Sequence, residues 1–123
     1  MKFAKRVFFI AGVYGVVVLV PQYFMEGKMG RDFPPAITHP ELYYGFIGLA
    51  LAWQVLFFII AGDPVRYRGA MWPAILEKVS FGVAVIVLFA QGRVAVPLVG
   101  PAVIDLTFAT LFFLALRTTA SNP

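Results

Sequence analysis

Between Leu42 and Gly62 the chain reads LYYGFIGLALAWQVLFFIIAG, 21 residues without a charge. At about 1.5 Å rise per residue such a run spans roughly 30 Å as a helix, the thickness of a bilayer's hydrocarbon core. A stretch of this length and polarity restricts the fold more than any other feature, because in lipid the backbone must satisfy its own hydrogen bonds. Both of its ends carry punctuation. Thr38 and Glu41 fit a capping box, Gly62 suits a left-handed C-terminal position, and Pro64 cannot continue the helix. Tyr43 and Tyr44 stand at one water boundary; Arg66 and Arg68 lie beyond the other.

Three further apolar runs give an all-α, four-helix transmembrane bundle, with spans at about 3–24, 41–62, 73–91 and 97–116 of one 123-residue domain. Composition supports this. Charged residues are 13% of the chain, against about 25% in soluble domains. The first run follows Lys2, Lys5 and Arg6 in the manner of a signal peptide, yet no small-x-small cleavage site follows Leu19, so it is read as a retained helix. Pro34 and Pro35 forbid regular helix in the loop 25–37, which is long enough to cap the mouth of a bundle. The tail from Thr118 to Pro123 is polar and reads as frayed.

Basic residues set the orientation. Lys2, Lys5, Arg6, Arg66, Arg68, Lys78 and Arg117 fall on one side, and Lys28, Arg31 and Arg93 on the other. The positive-inside rule then puts both termini in the cytoplasm, in the inner membrane of a bacterium. Lys78 is read here as snorkelling from the cytoplasmic end of the third span. The net charge of +4 has no basic stripe interleaved with aromatics. It points to topology and anionic lipid, not to nucleic acid.

Small residues mark expected helix contacts: Gly15 in the first span, and Gly45, Gly48 and Ala52 along one face of the second. In the third span Glu77, Ser80, Ala84 and Gln91 fall on one helical stripe, which is expected to turn away from lipid. Asp105 lies near the middle of the fourth span. A carboxylate there costs about 2.5–3.5 kcal/mol on insertion scales, so it must face the interior, hold a proton, or meet a cation such as Arg93. It is expected near Ser80, Ala84 or the Gly48 face. Tyr14, Gln54, Glu77, Ser80 and Asp105 reach comparable depths and form a candidate intramembrane polar pocket.

The absence of cysteine excludes disulfides and thiol chemistry. His39, the only histidine, is a poor metal site alone, and no metal or cofactor is expected. Asp63 before Pro64 reads as a helix N-cap with proline at the first position. No nucleotide-binding or hydrolase motif is present.

The basic start before a short first helix, the run Tyr43-Tyr44-Gly45-Phe46-Ile47-Gly48, the DP-x-R-x-R turn from Asp63 to Arg68, and the early acid Glu77 resemble small bacterial four-helix membrane proteins of the DoxX-like kind and related uncharacterised families. The resemblance implies architecture and no established activity. Of two function classes the first is favoured and the second is its alternative. The first is a non-enzymatic bundle acting as a homo-oligomer or as an accessory subunit among other membrane proteins, in contact with membrane lipids. The second is a binding protein or enzyme for a hydrophobic small molecule (a lipid, isoprenoid or quinone) whose pocket uses Glu77 and Asp105.

Overall fold

The computed structural model describes residues 2–120. Helix α1 (Lys2–Leu19) continues as a 3-10 turn over Val20–Phe24; then come α2 (Glu26–Asp32), α3 (Pro40–Gly62), α4 (Met71–Ala90) and α5 (Val99–Thr118). No strand occurs among the described residues. With their 3-10 extensions, four stretches of 23 residues are long and apolar enough to cross a membrane: Lys2–Phe24, Pro40–Gly62, Arg68–Ala90 and Val96–Thr118. This is the pattern of a multi-pass membrane protein. The four long helices alternate in direction, so the starts of α1 and α4 share one end with the finishes of α3 and α5. We call this the terminal end and its opposite the distal end.

Local chemistry fixes the helix limits, and several expectations are corrected. Pro21 lacks an N–H, and α1 tightens to 3-10 geometry there instead of running on regularly to residue 24. The loop 25–37 contains α2, a short helix that ends just before Phe33 and the Pro34–Pro35 pair. The capping box at Thr38 does not form. Helix α3 starts one residue later than that box requires, with His39 as N-cap, Pro40 at the first position and no side-chain cap. Gly62 keeps helical geometry; the helix closes when the Asp63 N–H donates to the Ile60 carbonyl. Asp63 does cap the turn after it, its Oδ1 accepting the Arg66 N–H at 3.2 Å. The one left-handed glycine among the described residues lies elsewhere. Gly92, with φ of 71°, ends α4 in a Schellman motif, with Arg93 N–H to Leu88 O and Gly92 N–H to Phe89 O.

Arg68 is the cap of α5 across the chain. Its Nε donates to Thr119 O at 3.0 Å and its Nη2 to Leu116 O at 3.1 Å, satisfying carbonyls that the helix end leaves open. Thr119 is therefore buried and held, not frayed; residues 121–123 of the tail lie outside the described residues, as does Met1 of the basic start.

Helix α1 packs along α3, α4 packs along α5, and α1 against α5 joins the two pairs, whereas α3 and α4 barely touch. The main core fills the terminal half: Ala4, Val7, Phe8 and Ala11 from α1, Phe57 and Ile60 from α3, Met71 and Ala74 from α4, and Phe112, Ala115 and Leu116 from α5. Phe8 stacks on Phe112 with ring centroids 4.1 Å apart, and Phe57 meets Phe112 edge-on at 5.1 Å. The distal half has only a small cluster, Leu19, Ile47 and Ala50, between α1 and α3.

Candidate functional site

The residues of α4 that turn inward are Met71, Ala74, Lys78, Gly82 and Val85. The expected stripe is therefore one position off. Ser80, Ala84 and Gln91 are exposed, and Glu77 stands at the border of the buried face. Packing decides this, because only the face with Ala74 and Gly82 lets α5 come close. A Cβ placed at Gly82 would lie 2.6 Å from Leu106 Cγ and 3.1 Å from the Ala102 carbonyl. On α5 the matching buried face is Ala102, Asp105, Ala109 and Phe112.

These two faces bring Lys78 to Asp105 about midway along the bundle. Lys78 does not snorkel. It is only 3% exposed, and its Nζ lies 3.4 Å from Asp105 Oδ1 and 3.8 Å from Glu77 Oε2. The ammonium also lies over two aromatic rings, 5.2 Å from the centre of Phe57 and 5.5 Å from that of Phe108. The cation that meets Asp105 is therefore Lys78 and not Arg93, whose guanidinium bonds the Gln91 side chain at the surface. A cation so deep in an apolar bundle is tolerable only because carboxylates and ring faces surround it.

Above this cluster, toward the distal end, the bundle is hollow. A cavity of about 540 Å³ lies between the two helix pairs. Its deep end is formed by Tyr14, Gly15, Gln54, Glu77, Lys78 and Asp105; its apolar walls include Phe46, Leu49, Trp53 and Phe81; its distal mouth is made by Gln22, Met29, Phe33, Pro97 and Leu98. The long loop thus does stand at the mouth, through Met29 of α2 and Phe33. The gap between α3 and α4 is spanned by Phe46 and Phe81, with centroids 6.5 Å apart. Leu49, which also lines the cavity, is 71% exposed beside it.

All five residues of the expected pocket, Tyr14, Gln54, Glu77, Ser80 and Asp105, line this one cavity. Asp105 is buried, and it sits with Ser80 on the cavity wall, while Ala84 and the Gly48 face are not part of it. Gln54 is 2% exposed; its amide donates to Ala50 O at 2.8 Å, and its Oε1 has no hydrogen-bond partner among the described residues. Gly15 makes room for it, since a Cβ there would overlap the Gln54 carboxamide. Glu77 Oε2 is likewise buried without a hydrogen bond. Ser80 is exposed at the rim and donates to Glu77 O at 3.0 Å.

The other expected contact face behaves differently. Gly45 and Ala52 are exposed, Gly48 meets only the Tyr23 hydroxyl, and no described helix of this chain covers them. The residues that sequence reasoning missed are Lys78, Gly82 and Trp53. Lys78 had a signal, since Ala74, Lys78 and Gly82 recur every four residues and so share a face with the small positions on which α5 packs.

No family model, no curated protein and no solved structure matches the chain.

Proposed function

We propose that this protein is a membrane-embedded binding protein for a hydrophobic small molecule carrying a polar group. The observation that supports this reading is the distal cavity, apolar along its walls and polar at its floor. Its volume of about 540 Å³ falls within the range of roughly 300–1,000 Å³ typical of small-molecule sites. Helices α3 and α4 make few contacts, and in this reading a lipid, isoprenoid or quinone enters between them from the lipid phase. Glu77 and Asp105 are the groups with which such a site would orient a ligand or exchange a proton.

In this reading both termini are cytoplasmic and the cavity mouth faces outward in a bacterial inner membrane. Without Lys78, which is buried, Lys2, Lys5, Arg6, Arg66, Arg68 and Arg117 still outweigh Lys28, Arg31 and Arg93. The DoxX-like resemblance is consistent with this small four-span architecture. A reporter fused after Pro123 is expected to be active only on the cytoplasmic side; activity on the outer side overturns the orientation.

The binding reading is tested by extracting the protein with its surrounding lipid and analysing what remains bound by mass spectrometry. A defined apolar molecule is expected with wild type and not with Ser80→Trp, which fills the rim without disturbing the core. Identical lipid profiles for the two proteins would remove the proposal. The face of Gly45, Gly48 and Ala52, exposed at Gly45 and Ala52 and half-buried at Gly48, supports a second reading, self-association or attachment to another membrane subunit through α3. A strictly monomeric protein in native lipid would count against it.

A further inference from the structure

We propose that the terminal end carries a site for an anionic phospholipid, its phosphate held between Lys5 and Arg6 and the start of an acyl chain laid along Phe9 and Phe58. This site is separate from the distal cavity and does not depend on what that cavity binds.

A groove of about 450 Å³ runs between α1 and α3 at this end, lined by Lys5, Arg6, Phe9, Phe58, Ala61 and Gly62. Lys2, Lys5, Arg6 and Phe9 fall at i, i+3, i+4 and i+7, so the basic start of α1 and an exposed ring share one helix face. Opposite them α3 ends on two small residues, and a Cβ at Gly62 would meet nothing within 4 Å. Deeper along the bundle, Gly12 lets Phe58 sink toward α1, since a Cβ there would lie 2.7 Å from Phe58 Cε1. Phe58 then meets Phe9 edge-on, with ring centroids 5.6 Å apart. The groove is therefore basic toward the end of the bundle and aromatic toward its middle. Lys5 and Phe9 are one turn, about 6 Å, apart along α1, in the order in which a phospholipid presents its phosphate and its chains.

Charge decides which lipid fits. At the distal end Lys28, Arg31 and Arg93 are matched by Glu26, Asp32 and Glu41. At the terminal end Lys2, Lys5, Arg6, Arg66, Arg68 and Arg117 face a single acidic side chain among the described residues, Asp63, whose Oδ1 accepts the Arg66 N–H. Arg68 is used in capping α5, and the guanidinium groups of Arg66 and Arg117 lie over the rings of Tyr67 and Phe113. Lys5 and Arg6 are exposed and stand in no ion pair among the described residues. The dipoles of the antiparallel α1 and α3 oppose each other here, so side chains set the local field. Two unpaired cations above an apolar groove fit a ligand with a concentrated anionic group and a hydrocarbon tail. A phosphate accepts from the Arg6 fork and the Lys5 ammonium together. A soluble phosphate would leave Phe9 and Phe58 uncovered, and a choline lipid would bring a cation of its own against Lys5 and Arg6. An anionic phospholipid satisfies both parts of the groove.

The test uses nanodiscs of phosphatidylcholine with a minor share of phosphatidylglycerol of the same chain length. Lipids that stay attached when the protein is released from the disc are read by native mass spectrometry. Wild type is expected to retain phosphatidylglycerol in excess of its share of the disc. Lys5→Gln combined with Arg6→Gln is expected to lower that enrichment about ten-fold, the scale set by two cations at a membrane surface. Arg66→Gln combined with Arg117→Gln removes the same charge from the same end but outside the groove, and is expected to leave most of the enrichment in place. Gly62→Leu keeps every charge and puts a side chain into the open groove, where its Cβ meets no other atom, and is expected to lower the enrichment as the charge pair does. No enrichment with wild type overturns the site. So do equal losses from the two charge pairs, which would mean that phosphatidylglycerol follows net charge alone, and so does wild-type enrichment with Gly62→Leu.

Discussion

The two halves of this bundle are built from the same four helices yet use them in opposite ways. In the terminal half, phenylalanines from α1, α3 and α5 close on one another, and Phe8, Phe57 and Phe112 are fully buried. In the distal half, aromatic residues of comparable size, Phe46, Trp53 and Phe81, stand around a cavity instead of filling it. The charged cluster of Glu77, Lys78 and Asp105 lies at the boundary. The contrast shows that apolar content does not decide where a membrane bundle is solid. What decides it is which helices approach each other. Gly82 and the alanines of α5 draw α4 and α5 together, and Gly15 draws α1 toward α3, while α3 and α4 have no such pairing and stay apart.

The largest expected effect breaks the solid half. Phe112→Ala removes a ring held between Phe8 and Phe57 and is expected to cost about 3–5 kcal/mol, read as a large drop in melting temperature in detergent. A melting temperature close to wild type would mean that the terminal half is not the stabilising one. Next comes the boundary. Lys78→Met leaves Asp105 and Glu77 without their cation, at an expected cost of about 2.5–3.5 kcal/mol, the insertion penalty of a charged side chain. Adding Asp105→Asn to Lys78→Met should recover much of that loss, whereas Asp105→Asn alone should keep the fold, because an amide preserves the shape and still accepts from Lys78. No recovery in the double variant would show that Lys78 acts through packing on Phe57 and Phe108 and not through charge.

A smaller effect is expected at the seam between α4 and α5. Gly82→Leu forces α4 away from Leu106 and the Ala102 carbonyl and should cost about 1–3 kcal/mol by overpacking, read from the same melting experiment. Wild-type stability would show that the close approach of these helices is not what holds them. The smallest effect sharpens the contrast from the hollow side. A Cβ at Gly48 meets only the Tyr23 hydroxyl, at 3.4 Å, and Gly48→Leu should change the stability of a single chain by less than about 0.5 kcal/mol. A much larger loss, accompanied by a change in oligomeric state, would show that a second subunit covers this face.

Much of the architecture was legible in the residues alone. Length and charge spacing placed four spans, and the depth of Tyr14, Gln54, Glu77, Ser80 and Asp105 marked residues that do line one cavity. Helix phase was less legible. In α4 the polar stripe through Ser80 and Gln91 suggests the inward face, because polar groups avoid lipid; the actual inward face carries Ala74 and Gly82 because close approach of backbones needs small residues. The two rules point one residue apart, and a shift of one residue is about 100° of rotation, enough to carry Lys78 from the surface to the interior. Capping misleads for a related reason. Thr38 and Glu41 match a capping box in spacing, but Pro40 starts the helix, and its fixed backbone angle outweighs a side-chain cap.

By itself the sequence determined that four apolar stretches of membrane length exist and which side chains within them are expensive to bury, because hydrocarbon thickness and the cost of charge depend on residue type and spacing alone. Only the tertiary structure decided that Lys78 faces Asp105, that Glu77 is left with an oxygen without a hydrogen bond, and that α3 and α4 stand apart beside a cavity. Those outcomes depend on the rotation and separation of whole helices, which are set by the sum of many small packing contacts between segments distant in the chain.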